Sequence, residues 1–174
     1  MDILKSKIRH VPNFPKPGIL FYDITTLLRD PEGFRGAVEN LVKPFARDTI
    51  DLVVGVESRG FILGGAVADR LGTGFAPVRK LGKLPAKSIR VTYDLEYGSD
   101  SLEMHEDAVT RGQRVLIVDD LLATGGTARA TVDLVRRLGG DVRGVAFLIE
   151  LVDLGGRAKL KGENVFALLQ YEGA

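Results

Sequence analysis

The chain has 174 residues, enough to bury a substantial core in one domain, with 45% hydrophobic and 27% charged residues and a formal net charge of +1. That balance gives no basic footprint for nucleic acid, and the absence of cysteine excludes disulfides, zinc–thiolate sites and thiol nucleophiles. The first residues, Met1 to Lys7, lack the apolar centre of a signal peptide, and no apolar run reaches the roughly 18 residues of a membrane span, so a cytoplasmic protein is expected.

Residues 2–9 read as a short helix, and His10 to Gly18, with three prolines, as an extended, irregular arm. Asp30-Pro31-Glu32 is a helix start: Asp at the N-cap, Pro at the first position, Glu in the first turn. Phe34, Ala37, Val38, Leu41, Val42 and Phe45 then give one apolar face, and Pro44 predicts that the helix ends near Val42. Leu52 to Val56 is a buried-strand pattern. The loop Glu57-Ser58-Arg59-Gly60 leads into a helix to about Leu71, and Gly74 to Val78 is the next strand.

From Lys80 to Asp107 the chain is polar and basic, then alternates through Ile89 to Tyr97. A turn is expected at Gly98-Ser99-Asp100, with Leu102, Met104 and His105 on the returning strand. This pattern predicts an antiparallel hairpin projecting from the main sheet as a lid. Val115-Leu116-Ile117-Val118 is a short apolar run suited to a strand buried on both faces. A helix follows from about Gly126 to Leu138, with Ala128, Val132, Val135 and Leu138 as its buried stripe. Arg136 and Arg137 suit its C-terminal dipole, and Gly139-Gly140 stops it. Val142 to Glu150 and Asn164 to Gln170 complete the strands. Strands alternating with helices through short connections imply an α/β fold with a parallel sheet covered on both faces.

The chemistry concentrates where the Val115–Val118 strand ends. Asp119 and Asp120 are followed by Leu121-Leu122-Ala123-Thr124-Gly125-Gly126-Thr127 and then a helix. Gly125 and Gly126 let backbone N–H groups approach an anion, and Thr124 and Thr127 add hydroxyls at a helix N-terminus. The paired carboxylates suit vicinal sugar hydroxyls or a nearby magnesium ion. No GxxxxGK[ST] P-loop occurs, and no GxGxxG follows a strand. A phospho-receiver domain would need most of its chain after the Asp pair, where too little remains. Ser58 and Arg59 offer a hydroxyl and a bidentate guanidinium for a second anionic group, joined by Arg79, Lys80 and Lys83. In the segment Gly18 to Thr25, core packing is the default for Leu20, Phe21 and Ile24, while the Pro/Gly-rich lead-in and the aromatics Phe21 and Tyr22 also suit a base-stacking arm; composition alone does not decide between them. His10 and His105 have no metal-ligand spacing.

The run Val115–Thr127 resembles the phosphoribosyl diphosphate (PRPP) motif of the type I phosphoribosyltransferases. Phe21-Tyr22-Asp23-Ile24-Thr25, Glu57-Ser58-Arg59-Gly60-Phe61, Arg79 to Pro85 and Leu95-Glu96-Tyr97-Gly98, in this order, resemble the adenine branch of that family over nearly the whole chain. The resemblance implies one domain, 1–174: a central parallel sheet flanked by helices, a small hood from residues 1–30, and a flexible hairpin lid at 80–107. It implies transfer of a phosphoribosyl group from PRPP to adenine, giving AMP and diphosphate in purine salvage. Asp119 and Asp120 would bind the ribose hydroxyls, and Ala123, Thr124, Gly125, Gly126 and Thr127 the 5′-phosphate. Ser58, Arg59, Arg79, Lys80 and Lys83 would serve the diphosphate, and the peptide entering Ser58 would be cis. Phe21 and Leu121 would sandwich the adenine, backbone near Leu20 and Tyr22 would read its edge, and Glu96 would handle its N7 proton. Mg²⁺ would act mainly through PRPP and water, near Asp119 or Asp120, and a homodimer is implied. Tyr22 stands where the family often has Arg. A transferase for hypoxanthine, guanine or xanthine would share this framework. A PRPP-sensing regulator would carry a DNA-binding domain or basic surface, and neither is visible in this sequence.

Overall fold

The computed structural model describes residues 2–94 and 98–172. Its first elements are helix α1 (Asp2–Ser6), strands β1 (Arg9–Pro12) and β2 (Leu20–Asp23), and helices α2 (Thr25–Leu28) and α3 (Pro31–Val42). Then come β3 (Leu52–Val56), α4 (Arg59–Leu71), β4 (Gly74–Lys80), β5 (Ser88–Asp94) and β6 (Ser99–His105). The chain closes with β7 (Arg114–Leu122), α5 (Gly126–Arg137), β8 (Asp141–Leu151) and β9 (Val165–Tyr171). Short 3₁₀ turns occupy Lys43–Phe45, Val152–Leu154 and Gly156–Leu160.

Seven strands form one sheet in the order β5-β6-β4-β3-β7-β8-β9. From β4 to β9 every neighbouring pair is parallel. Parallel strands covered on both faces carry apolar side chains continuously rather than alternately, and β7 shows why. Leu116 and Val118 pack toward α3 and α4, while Val115 and Ile117 pack toward α5 and the β5–β6 hairpin. Asp51 accepts hydrogen bonds from the Arg114 backbone N–H at 2.8 Å, its Nε at 2.8 Å and its Nη2 at 2.7 Å. That clamp ties the starts of β3 and β7 together, so their carboxyl ends emerge side by side.

Local signals set the helix boundaries. Asp30 accepts from the Gly33 N–H at 2.6 Å and Pro31 opens α3, as the cap pattern predicts. The helix stops at Val42 and tightens into a 3₁₀ turn around Pro44. Gly72 ends α4 in the left-handed conformation at φ +69°. The apolar stripe of α5 is broader than predicted: Ala130, Thr131 and Leu134 are buried with Ala128, Val132 and Val135, while Leu138 is half-buried.

Two segments differ from their sequence patterns. The expected irregular arm begins as a strand, with β1 pairing antiparallel to β2 from Arg9–Asp23 to Pro12–Leu20. The hairpin does not stand clear of the sheet. Strand β6 joins the edge of β4 through the Arg79–Glu103 and Lys80–Leu102 pairs. Val91, Leu102 and Met104 are buried against the α5 layer, and Arg137 Nη1 donates to the Arg90 carbonyl at 3.0 Å. One face of the alternating pattern is apolar, and burying it docks the hairpin. Ser99 and Asp100 pair with Asp94 and Tyr93 rather than turning. Residues 95–97 lie outside the described residues.

Candidate active site

The carboxyl ends of parallel strands gather at one edge, where their loops can converge on a ligand. The loop after β3 contains Glu57 and Ser58, joined by a cis peptide bond as expected, and Arg59 opens α4. Strand β4 ends in Arg79-Lys80, with Lys83 in the turn beyond. Strand β7 ends in Asp119 to Leu122 and passes through Ala123–Gly125 into α5. These ends enclose a cavity of about 560 Å³ lined by Glu57, Ser58, Arg59, Arg79, Lys80, Lys83, Asp119, Asp120, Leu121, Ala123 and Thr127.

Its charges are organised in pairs. Arg59 Nε donates to Asp120 Oδ2 at 2.5 Å. Arg79 Nε donates to Glu57 Oε2 at 2.7 Å, and the Lys80 backbone N–H donates to Glu57 Oε1 at 3.0 Å. Burial raises the Glu57 carboxyl, but those two donors outweigh it and leave the group below the usual glutamate range. Glu57 is therefore a fixed anion that aims Arg79, a role the local sequence did not signal because the partner lies on another strand. Lys80 Nζ lies 3.3 Å from Asp100 on the hairpin. Asp119 behaves oppositely: burial, then the charge of Asp120, pushes its carboxyl well up. Two adjacent acids, Asp119 half-buried and Asp120 buried, resist ionising together. A cation or a set of hydroxyl donors at this spot would relieve them. Gly60 permits the close packing here, since a methyl there would lie 2.6 Å from Asp119 Oδ1.

The Ala123–Thr127 loop forms a smaller cavity of about 80 Å³ with Tyr93, Leu121, Leu122 and Ala128, sharing Leu121, Ala123 and Thr127 with the larger one. Gly125 has φ +80°, closed to most side chains. Behind the loop sits Gly156: a methyl on Gly125 would meet the Gly156 carbonyl oxygen at 2.4 Å, and a methyl on Gly156 would meet the Ala123 oxygen at 2.2 Å. The loop is thus held backbone to backbone. Arg157, next to Gly156, is anchored by the buried Glu150 at 2.7 and 2.8 Å, and Gln170 adds a third donor at 2.9 Å. Thr131 Oγ1 donates to the Thr127 carbonyl at 2.9 Å. Sequence reasoning singled out neither Gly156 nor Tyr93.

A third cavity of about 450 Å³ is lined by Val11, Phe14, Phe21, Asp23, Thr25 and Arg59. It meets the large cavity at Arg59, whose guanidinium lies 5.6 Å from the Phe21 ring centre. Phe21 and Leu121 thus flank the Arg59 region from different cavities. Leu20 is half-buried against the core. The buried Tyr22 side chain turns away into an aromatic cluster, 4.1 Å from the ring centre of half-buried Tyr171 and 5.0 Å from that of exposed His10. Its neighbour Phe21 points the other way, as strand alternation requires. Glu96 lies outside the described residues. The site as a whole offers an N–H-lined seat for one anion, cations for a second, two carboxylates for hydroxyls, and an apolar aromatic platform.

Known proteins share this plan. The family model for the phosphoribosyl transferase domain matches residues 24–165. A curated adenine phosphoribosyltransferase from Solibacter usitatus is 60% identical over 172 residues, 99% of each chain. The crystal structure of adenine phosphoribosyltransferase from Thermoanaerobacter pseudethanolicus superposes with a TM-score of 0.95 at 51% identity, covering 98% of this chain and 99% of that one. The Saccharomyces cerevisiae enzyme, complexed with D-2,5-dideoxy-2,5-imino-altritol 1,6-bisphosphate and adenine, superposes at 0.91 with 43% identity, covering 96% and 97%.

Proposed function

The chain belongs to the adenine phosphoribosyltransferases of the phosphoribosyl transferase family, and from that premise we propose that it transfers the 5-phosphoribosyl group of PRPP to N9 of adenine, giving AMP and diphosphate in purine salvage. The observation that carries this reading is the 560 Å³ cavity in which Arg59, Arg79, Lys80 and Lys83 face Asp119, Asp120, Ala123 and Thr127, adjoined by the smaller cavity of the Ala123–Thr127 loop. A bisphosphorylated sugar has matching anions at its two ends and hydroxyls between them.

In this reading the 5′-phosphate sits on the loop and α5 N-terminus, and Asp119 and Asp120 accept from the ribose hydroxyls. Ser58, Arg59, Arg79, Lys80 and Lys83 receive the diphosphate. The C1′–O bond breaks with its electron pair leaving on diphosphate, through an oxocarbenium-like state, while N9 forms the new bond to C1′. The cations stabilise the charge that grows on the leaving group, and the adjacent carboxylates favour the cationic ring. Phe21 and Leu121 hold the base, backbone near Leu20 and Tyr22 reads its edge, and Glu96 takes the N7 proton. Residues 1–30 serve as the hood and residues 80–107 as the lid that keeps water from the cation.

Asp119 and Asp120 are adjacent carboxylates whose mutual repulsion a cation would relieve, and they offer the hard oxygen donors that Mg²⁺ prefers, with phosphate oxygens and water completing its shell. Bound there, Mg²⁺ would supply charge neutralisation for the diphosphate. Exposed Ile62 and Leu81, beside the diphosphate residues, support a homodimer. We propose a cytoplasmic location; no helix among the described residues is long and apolar enough to cross a membrane. Incubation with Mg²⁺-PRPP and adenine, followed by chromatography, tests the reading: AMP and diphosphate should form in equal amounts, and their absence would overturn it.

A further inference from the structure

Tyr93 lies on β5, in the hairpin, and the reading above gives it no part. Its hydroxyl is 3.1 Å from Thr127 Oγ1 and 3.5 Å from Asp100 Oδ2. Its ring covers Gly126 so closely that a methyl there would lie 3.1 Å from Cδ2. It lines the small cavity together with Thr124, Gly125, Gly126 and Thr127. The hairpin therefore supplies a wall of the seat that the loop and α5 form from the other side.

We propose that Tyr93 is a phosphate-binding residue, whose hydroxyl donates to a 5′-phosphate oxygen alongside Thr127 and so closes the seat from the hairpin side. Docking of the hairpin does not depend on that hydroxyl. Val91, Leu102 and Met104 are buried beneath it, and Arg137 holds the Arg90 carbonyl. What the hydroxyl adds is a donor at the mouth of an anion cavity: its one proton, directed at the Asp100 carboxylate here, turns to the phosphate oxygen, while Lys80, 3.3 Å from Asp100, offsets that carboxylate's charge. Burial pushes the phenol above its usual value, so it remains a protonated donor at neutral pH. Tyr93 would thereby tie two ends of one substrate together. One side of the Tyr93–Asp100–Lys80 chain meets the 5′-phosphate loop, and the other meets a cation of the diphosphate cluster.

This inference rests on the phosphoribosyl reading of the site, and the test separates the two. Tyr93→Phe removes only the hydroxyl. A hydrogen bond to a charged group corresponds to roughly tenfold or more in affinity, so the variant should bind ribose 5-phosphate and AMP about tenfold more weakly in calorimetric titrations. KM for PRPP should rise by a similar factor, with adenosine affinity, KM for adenine and the thermal midpoint unchanged. Wild-type affinity for ribose 5-phosphate in the variant would overturn the proposal. So would an equal loss for adenosine and AMP together with a lowered midpoint, since that pattern marks a structural role. A wild-type protein inert toward adenine would overturn the transferase reading alone. The ratio of ribose 5-phosphate affinities decides the role of Tyr93 in either case.

Discussion

Gly156→Ala tests how the phosphate loop is held. Gly156 is buried and lies outside the motif, and no positive φ forbids a side chain there. Space alone does so. A methyl would lie 2.2 Å from the Ala123 oxygen and 2.9 Å from Leu122 Cδ1, with the Gly125 nitrogen at 3.1 Å. The first of these atoms is backbone and cannot swing aside as a side-chain end would. Reaching an ordinary contact requires the loop and the Gly156 turn to part by about 1 Å. The turn is the more firmly anchored side, because Arg157 is clamped to Glu150, so the loop should yield. A displacement of about 1 Å at a binding group can cost roughly 10²-fold in rate, and overpacking costs about 1–3 kcal/mol of stability. Steady-state kinetics should show kcat/KM for PRPP reduced by about that factor, with KM for adenine little changed. A folded variant with wild-type kcat/KM for PRPP would refute the reasoning.

Other outcomes follow from the same structure. Arg157→Ala leaves the buried Glu150 carboxylate with Gln170 as its remaining side-chain donor. Because Arg157 is itself partly exposed, the expected cost is about 2–4 kcal/mol, or roughly 5–15 °C in Tm; calorimetry showing no loss would contradict it. Burial raises the Glu150 carboxyl, but Arg157 and Gln170 outweigh it and lower the group below the usual glutamate value. A lowered carboxyl stabilises above its unfolded pKa and loses that contribution as the pH falls through its folded one. The Arg157→Ala deficit should therefore be largest near neutrality and shrink below pH ~4. Asp51, held down to about 2 first by the Arg114 side chain and then by its backbone N–H, should make Tm fall between about pH 4 and pH 2. Asp51→Asn should flatten that slope, and an unchanged slope would count against the clamp. Glu96→Gln should lower kcat by roughly 10²–10⁴; wild-type turnover would remove Glu96 from the mechanism.

What the sequence disclosed follows from the range of each interaction. Strands β3 and β7 were legible because burial on both faces demands nearly continuous apolar runs, and α3 because Asp30 and Pro31 cap it within one turn. The Gly125-Gly126 pair was legible because a left-handed residue at a helix start has a local signature. Gly156 had none: its contacts are with Ala123 and Gly125, some thirty residues earlier in the chain. Glu57 reads as a loop acid until β4 brings Arg79 beside it. Tyr93 reads as one more alternating strand residue until the hairpin folds onto α5. The hairpin's apolar positions, Val91, Leu102 and Met104, were visible, but alternation says only that one face is buried, not against what. The pairing of β1 with β2 was hidden by Pro12, the last residue of β1, and by Pro15 and Pro17 between the two strands.

The most direct test of the central claim is a competition: Mg²⁺-PRPP offered to the protein with adenine, hypoxanthine, guanine and xanthine together, and the nucleotides separated by chromatography. AMP as the predominant product, with diphosphate released in equal amount, is the predicted result. IMP, GMP or XMP in its place would contradict the adenine assignment, and no nucleotide at all would contradict transfer itself.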